Sequence, residues 1–291
     1  MKIKKMKTLK HLSFLFALCL VFIGCNKEEA ALAPSDIEVQ YKLPQGNHDY
    51  DPALVELNKK YGSFFLYKFS AIDFGATPVY SSSNFGSNYA VDIADEAYVG
   101  KVLSFVQKNW LNYYSDGFLK TNLPFKVLLG QNLRSKITPT TTYTVLSSYN
   151  QITLNNFSAS FDSMTDAQKK TYVNNLHVEF FNFINSRGKL DIPADFLTVT
   201  NYTQTGVTAI NFYTYGYVSY VVSLQDNRPT RDFLSYIALI TSKTKTELDA
   251  TILKPSNDTA GLIKKKYDII INYYKTKYNI DLQAIGNAGV I

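Results

Sequence analysis

Cysteine and histidine, which supply most metal ligands and many catalytic nucleophiles, are scarce in this chain of 291 residues. There are two cysteines, Cys19 and Cys25, and three histidines, His11, His48 and His177. Everything after residue 25 therefore lacks a disulfide framework, a thiolate metal site and a cysteine nucleophile. No Gly-x-Ser-x-Gly elbow and no P-loop occurs either. Net charge is small once the N-terminus is set apart. Five of the 30 Lys and Arg and none of the 24 Asp and Glu lie in residues 1–24, leaving 25 against 24. The formal +6 of the whole chain thus carries no nucleic-acid signal, and no nucleic-acid partner is expected. The leading apolar run, 12–23, falls short of the roughly 20 residues that span a bilayer, and no membrane span is expected beyond it.

That run follows Lys2, Lys4, Lys5, Lys7 and Lys10, the charged-then-apolar order of a secretory signal peptide. Phe22-Ile23-Gly24-Cys25 resembles a bacterial lipobox, which implies cleavage after residue 24 and acylation of Cys25. The next residues, Asn26-Lys27-Glu28-Glu29, resemble a tag for export to the outer face of the outer membrane. Cell-surface, lipid-anchored placement is the expectation. Residues 25–46 lack a sustained apolar period and read as a flexible tether, so the folded domain is expected over 47–291. Aromatic residues make up 14% of the chain, enough apolar area for a sizeable core without cross-links.

Within that domain the pattern alternates between sheet and helix before turning helical. A helix is predicted over 51–60 and strands over 63–71, 125–129, 142–147 and 151–154. Val99, Val102, Val106, Trp110 and Tyr113 recur at helical spacing from residue 92. Thr165 and Gln168 form a capping-box signature and Gly188 a stop, predicting a helix over 165–187 with Val173, Leu176, Phe180 and Ile184 facing the core. Phe212, Tyr213, Tyr215, Tyr217 and Tyr220 alternate like a half-exposed strand, read as buried aromatics in preference to a sugar-stacking surface. Further helices are predicted at 229–240, 245–253 and 259–278, with Lys264, Lys265 and Lys266 on a solvated face.

The helix at 165–187 contains Val178-Glu179-Phe180-Phe181-Asn182. In an HExxH helix, two histidines four residues apart bind zinc and the intervening glutamate acts on the metal-bound water. Here Glu179 holds the general-base position, while Val178 and Asn182 stand where the histidines would be. Continuing through Ile192-Pro193-Ala194-Asp195-Phe196, Gly216-Tyr217-Val218-Ser219-Tyr220-Val221 and Arg231-Asp232-Phe233-Leu234-Ser235, the chain resembles the zinc metallopeptidase-like lipoproteins associated with TonB-coupled substrate import. The resemblance runs from about 47 to 285. It implies an α+β, zincin-like fold with a small sheet, an active-site-type helix and a helical C-terminal half. It also places Arg231 at the third ligand position and Val221 where the family carries an aromatic hydroxyl.

All three ligand positions are then without ligands, so no metal and no cofactor is expected. His48 and His177 share no metal spacing. The resemblance implies a non-catalytic lipoprotein that binds a substrate, glycan or peptide, or a component of an importer. The alternative is an active zinc hydrolase with non-standard ligands. If the helices bearing Glu179 and Arg231 converge on the metal position, the guanidinium can fill it by pairing with Glu179; otherwise Arg231, in the first turn of its helix, faces solvent.

Overall fold

The computed structural model describes residues 41–75, 85–224 and 226–289. Cys25, the expected signal peptide and most of the expected tether lie outside these residues. Residues from Lys42 onward fall in one compact unit. Gln45, near the end of the expected tether, is bonded into it: its Oε1 accepts from the backbone of Tyr67 at 2.8 Å and its Nε2 donates to Lys68 O at 2.6 Å.

The fold is a mixed α and β arrangement with a small sheet and a helical C-terminal half. Helix α1 (Asp51–Tyr61) leads into β1 (Phe64–Leu66), shorter than predicted. Single turns α2 (Ala71–Gly75) and α3 (Phe85–Asn88) precede β2 (Tyr89–Ile93), a strand the sequence reading did not anticipate. Helix α4 (Glu96–Asn109) starts where the Asp95 side chain accepts from Ala97 N, and it buries Val99, Val102 and Val106. Helix α5 (Asp116–Asn122) leads to β3 (Lys126–Ser135), β4 (Val145–Ser148) and β5 (Gln151–Leu154). The sheet order is β1-β3-β5-β4. β1 and β5 run parallel to the first half of β3, β2 pairs antiparallel with its second half, and β4 forms an outer edge antiparallel to β5.

The long helix α6 (Asp166–Ser186) begins with the predicted capping box, Thr165 and Gln168 satisfying each other's backbone N–H. Gly188 follows with φ 64°, the left-handed conformation that lets the chain turn away at low strain. Leu176, Phe180 and Ile184 are buried as predicted, against β4 on one side and α9 on another. Then come α7 (Ala194–Val199), α8 (Tyr220–Ser223), α9 (Arg228–Ser242), α10 (Lys245–Ala250), α11 (Leu262–Tyr278) and α12 (Leu282–Asn287). Phe212–Tyr215 is a 3-10 turn, not part of a strand. The alternation of aromatics there comes from a compact loop in which Tyr217 is buried and its neighbours half-exposed. Gly286 lets α12 sit directly on the end of α9: a Cβ there would lie 2.2 Å from both Ile240 O and Lys243 O. No helix among the described residues is long and apolar enough to cross a membrane.

Candidate functional site

The polar face of α6 lies along the outer edge of β4, so the residues that match a metal-binding helix meet a strand. Glu179 Oε1 accepts from Ser147 N at 2.9 Å and from Ser147 Oγ at 2.6 Å. Its Oε2 accepts from Asn182 Nδ2 at 3.1 Å. One turn earlier, Asn175 Nδ2 donates to Thr144 Oγ1 at 2.6 Å. Two turns later, Arg187 donates to Tyr149 O at 3.3 Å and lies 4.1 Å from the centre of the Tyr149 ring. This spacing follows from helical geometry, since residues three and four apart share a face. An edge strand has backbone groups free to pair with an added chain. At Ser147 that valence is met from within by Glu179.

Val178 and Asn182 are half-buried on the same side of α6. Valine has no lone pair, and the Asn182 amide already donates to Glu179. A catalytic zinc takes three protein ligands and an open position. Among the described residues, no group of three or more His, Cys, Asp and Glu is placed to hold a metal. The residues do not fit zinc.

His177, the histidine inside the motif, is wholly buried on another face. Its Nε2 lies 3.0 Å from Asn109 O, an atom that only accepts, so Nε2 carries the proton. Nδ1 then accepts from the Tyr114 hydroxyl at 2.7 Å. Burial pushes its pKa from 6.5 down to about 4, and it is a neutral core histidine. His48 is exposed and pairs with Glu96 at 2.5 Å, apart from the buried His177 and its partners Asn109 and Tyr114. Neither histidine forms part of a metal site.

The pairing of Arg231 with Glu179 is not formed. Arg231 is exposed and makes no ion pair among the described residues, while Glu179 is held by Ser147 and Asn182. Helices α6 and α9 do pack together, but the residue that α9 turns inward is the next one. Asp232 is fully buried and pairs with Lys266, also fully buried. Tyr202 OH donates to the same carboxylate oxygen at 2.8 Å, and Lys266 Nζ donates to Gly216 O at 3.1 Å. The ammonium lies 4.7 Å from the ring centre of Phe196 and 5.1, 5.5 and 5.6 Å from those of Tyr202, Tyr217 and Tyr236. Burial pushes the Asp232 carboxyl up and the Lys266 ammonium down, and their mutual attraction opposes both shifts.

Lys266 thus corrects the solvated reading of the lysine run, of which only Lys264 and Lys265 are exposed. Helical spacing carried the signal. Lys266 lies three residues after Ile263 and four before Ile270, and Asp232 four before Tyr236, all buried. Val221, at the position of the family's aromatic hydroxyl, is 58% exposed.

Residues 78–283 match the model of a family described as "Putative zinc-binding metallo-peptidase". The chain belongs to that family. It also resembles a crystal structure described as "a putative zinc-binding metallo-peptidase from Bacteroides caccae", with a TM-score of 0.53 and 16% identity. That match covers 81% of this chain and 88% of the other. At that identity the likeness establishes the fold. No curated protein matches the sequence at a significant level.

Proposed function

We propose that this protein is a lipid-anchored, surface-exposed member of the family that has lost zinc hydrolysis and acts as a binding component of a TonB-coupled outer-membrane import system. The observation that carries the loss of catalysis is the engagement of Glu179. Both carboxylate oxygens are bonded within the protein, one of them to the edge strand, in a site without a ligand set. These bonds take three of about four lone-pair sites on the carboxylate. A general base in this chemistry acts on water that a metal holds within its hydrogen-bond reach, for which no ligand set stands beside Glu179 among the described residues. Anchoring is supported by the sequence around Cys25, and the import role by the motif order described above.

Elemental analysis of the purified full-length protein tests the catalytic part: zinc far below one equivalent per chain is expected. A full equivalent, with chelator-sensitive peptide hydrolysis, would overturn it in favour of an active enzyme with non-standard ligands. Cys25→Ala removes the acylation site and is expected to release the protein from the membrane fraction; unchanged tight association refutes the anchor. Crosslinking in cells is expected to capture an outer-membrane transporter, and complexes lacking one remove the import role.

A further inference from the structure

Three shallow depressions lie end to end along α11. The one at its C-terminal end, of about 640 Å³, is walled by Phe118, Tyr274 and Tyr278, with Asn122, Asp191 and Lys277 among its polar lining. The next, of about 620 Å³, shares Lys277 and is lined by Tyr273, Asn272, Thr276 and Asp195. It shares Ile269 and Asn272 with the third, of about 710 Å³, which reaches Lys264 and Asp268. Helix α11 has 17 residues, so the run extends about 25 Å at 1.5 Å per residue.

A pre-built cluster stands where the first two depressions meet. Asp191 Oδ1 accepts from Tyr273 OH at 2.8 Å, and Oδ2 accepts from Lys277 Nζ at 2.6 Å and from Tyr278 OH. One carboxylate thereby fixes two half-buried phenol rings, one lining each depression, before any ligand arrives. Charges along the run balance: Lys189, Lys264, Lys265 and Lys277 stand against Asp191, Asp195, Asp258 and Asp268, with Lys277 paired to Asp191 at 2.6 Å and Lys264 to Asp268 at 2.5 Å. An acidic polymer would call for an excess of positive charge. An extended peptide is held by strand pairing or by deep apolar anchors, and the backbone of α11 is bonded within the helix. Tyrosine rings among amides, hydroxyls and charge-balanced carboxylates suit a ligand with apolar faces and many hydroxyl groups.

We propose that this run is a binding groove for a short, extended, neutral oligosaccharide. The proposal builds on the reading above by giving the non-catalytic protein a ligand, but it uses a different surface. Phe181 and Ile184 contribute to the first depression. Each lies two residues beyond Glu179 or Asn182, about 200° around α6, so the groove and the former metal face are on opposite sides of that helix.

The full-length protein in mild detergent is applied to a printed array of neutral, sulfated and sialylated oligosaccharides, and the strongest neutral binder is then titrated by calorimetry. Binding is expected to be confined to neutral chains. Asn272→Trp, which fills an exposed position shared by two depressions, is expected to weaken it by about tenfold or more, with an unchanged melting temperature showing that the variant folds. Tyr278→Phe, which keeps the ring but frees it from Asp191, is expected to weaken binding less. No neutral ligand on the array, binding to acidic chains alone, or full affinity in Asn272→Trp would overturn the groove. Zinc content is measured on the same preparation. A zinc-loaded protein that binds neutral glycan refutes the non-catalytic reading alone, and a zinc-free one that binds none refutes the groove alone.

Discussion

Mild acid is expected to destabilise this protein through one buried side chain. In the folded state the His177 imidazole is neutral, with Nε2–H bonded to Asn109 O and Nδ1 bonded to Tyr114, and burial holds its pKa near 4 against an ordinary 6.5. The unfolded chain takes up a proton as pH falls through 6.5, while the folded chain does so only near 4. The stability linked to His177 is therefore complete above that upper value and is lost between the two. A difference of 2.5 units corresponds to a loss of about 3 kcal/mol below pH 4, of which about 2 kcal/mol is reached by pH 5. That is a large share of the roughly 5–15 kcal/mol that holds a typical domain folded.

Urea denaturation of the wild-type protein and His177→Gln across this range isolates the effect, because the variant keeps a side-chain donor for Asn109 O but does not titrate. The stability difference between them should shrink as pH falls. The His177 imidazole resonances of the folded wild-type protein, identified by their loss in His177→Gln, should show no titration above about pH 5. Parallel stability profiles, or a folded-state His177 imidazole that titrates near its ordinary value, would refute the reasoning.

Lys266→Met leaves Asp232 buried without its cation and should cost about 3–5 kcal/mol, lowering the melting temperature by roughly 6–20 °C. Adding Asp232→Asn should recover much of that loss, and equal destabilisation in the single and double variants would show that the charge is not the cause. Gly286→Ala drives a methyl into two backbone carbonyls of α9 and its C-terminal end, so it should cost at least the upper part of about 1–3 kcal/mol. An alanine variant that melts with the wild type would mean that α12 packs less tightly than described.

Where structure is set by neighbouring residues, the sequence was a sufficient guide. The start of α6 follows from the reciprocal bonds of Thr165 and Gln168, and its end from Gly188 just past the last turn, each a signal local to the helix end it sets. The buried stripes of α4 and α11 follow from the helical period, and β5 spans the predicted residues 151–154. The mixed class, a small sheet followed by a helical C-terminal half, was legible from the order of these elements, and the resemblance around Glu179 pointed to the family that the chain belongs to. The absence of histidine at 178 and 182 already weighed against zinc.

Tertiary structure decided matters that turn on the angle at which one element meets another. Neighbouring helical residues differ by about 100° in direction, so a small rotation of α9 decides which of Arg231 and Asp232 faces inward. Motif matching gave that place to Arg231; packing gave it to Asp232. The same angle buries Lys266 while Lys264 and Lys265 stay in solvent, because only it can reach a carboxylate and four aromatic rings drawn from distant parts of the chain. The attachment of Glu179 to β4 joins residues 32 positions apart, and the groove along α11 draws lining from α5 and the 188–195 segment. Such pairings depend on how the helices and sheet are stacked, and local sequence carries no record of that.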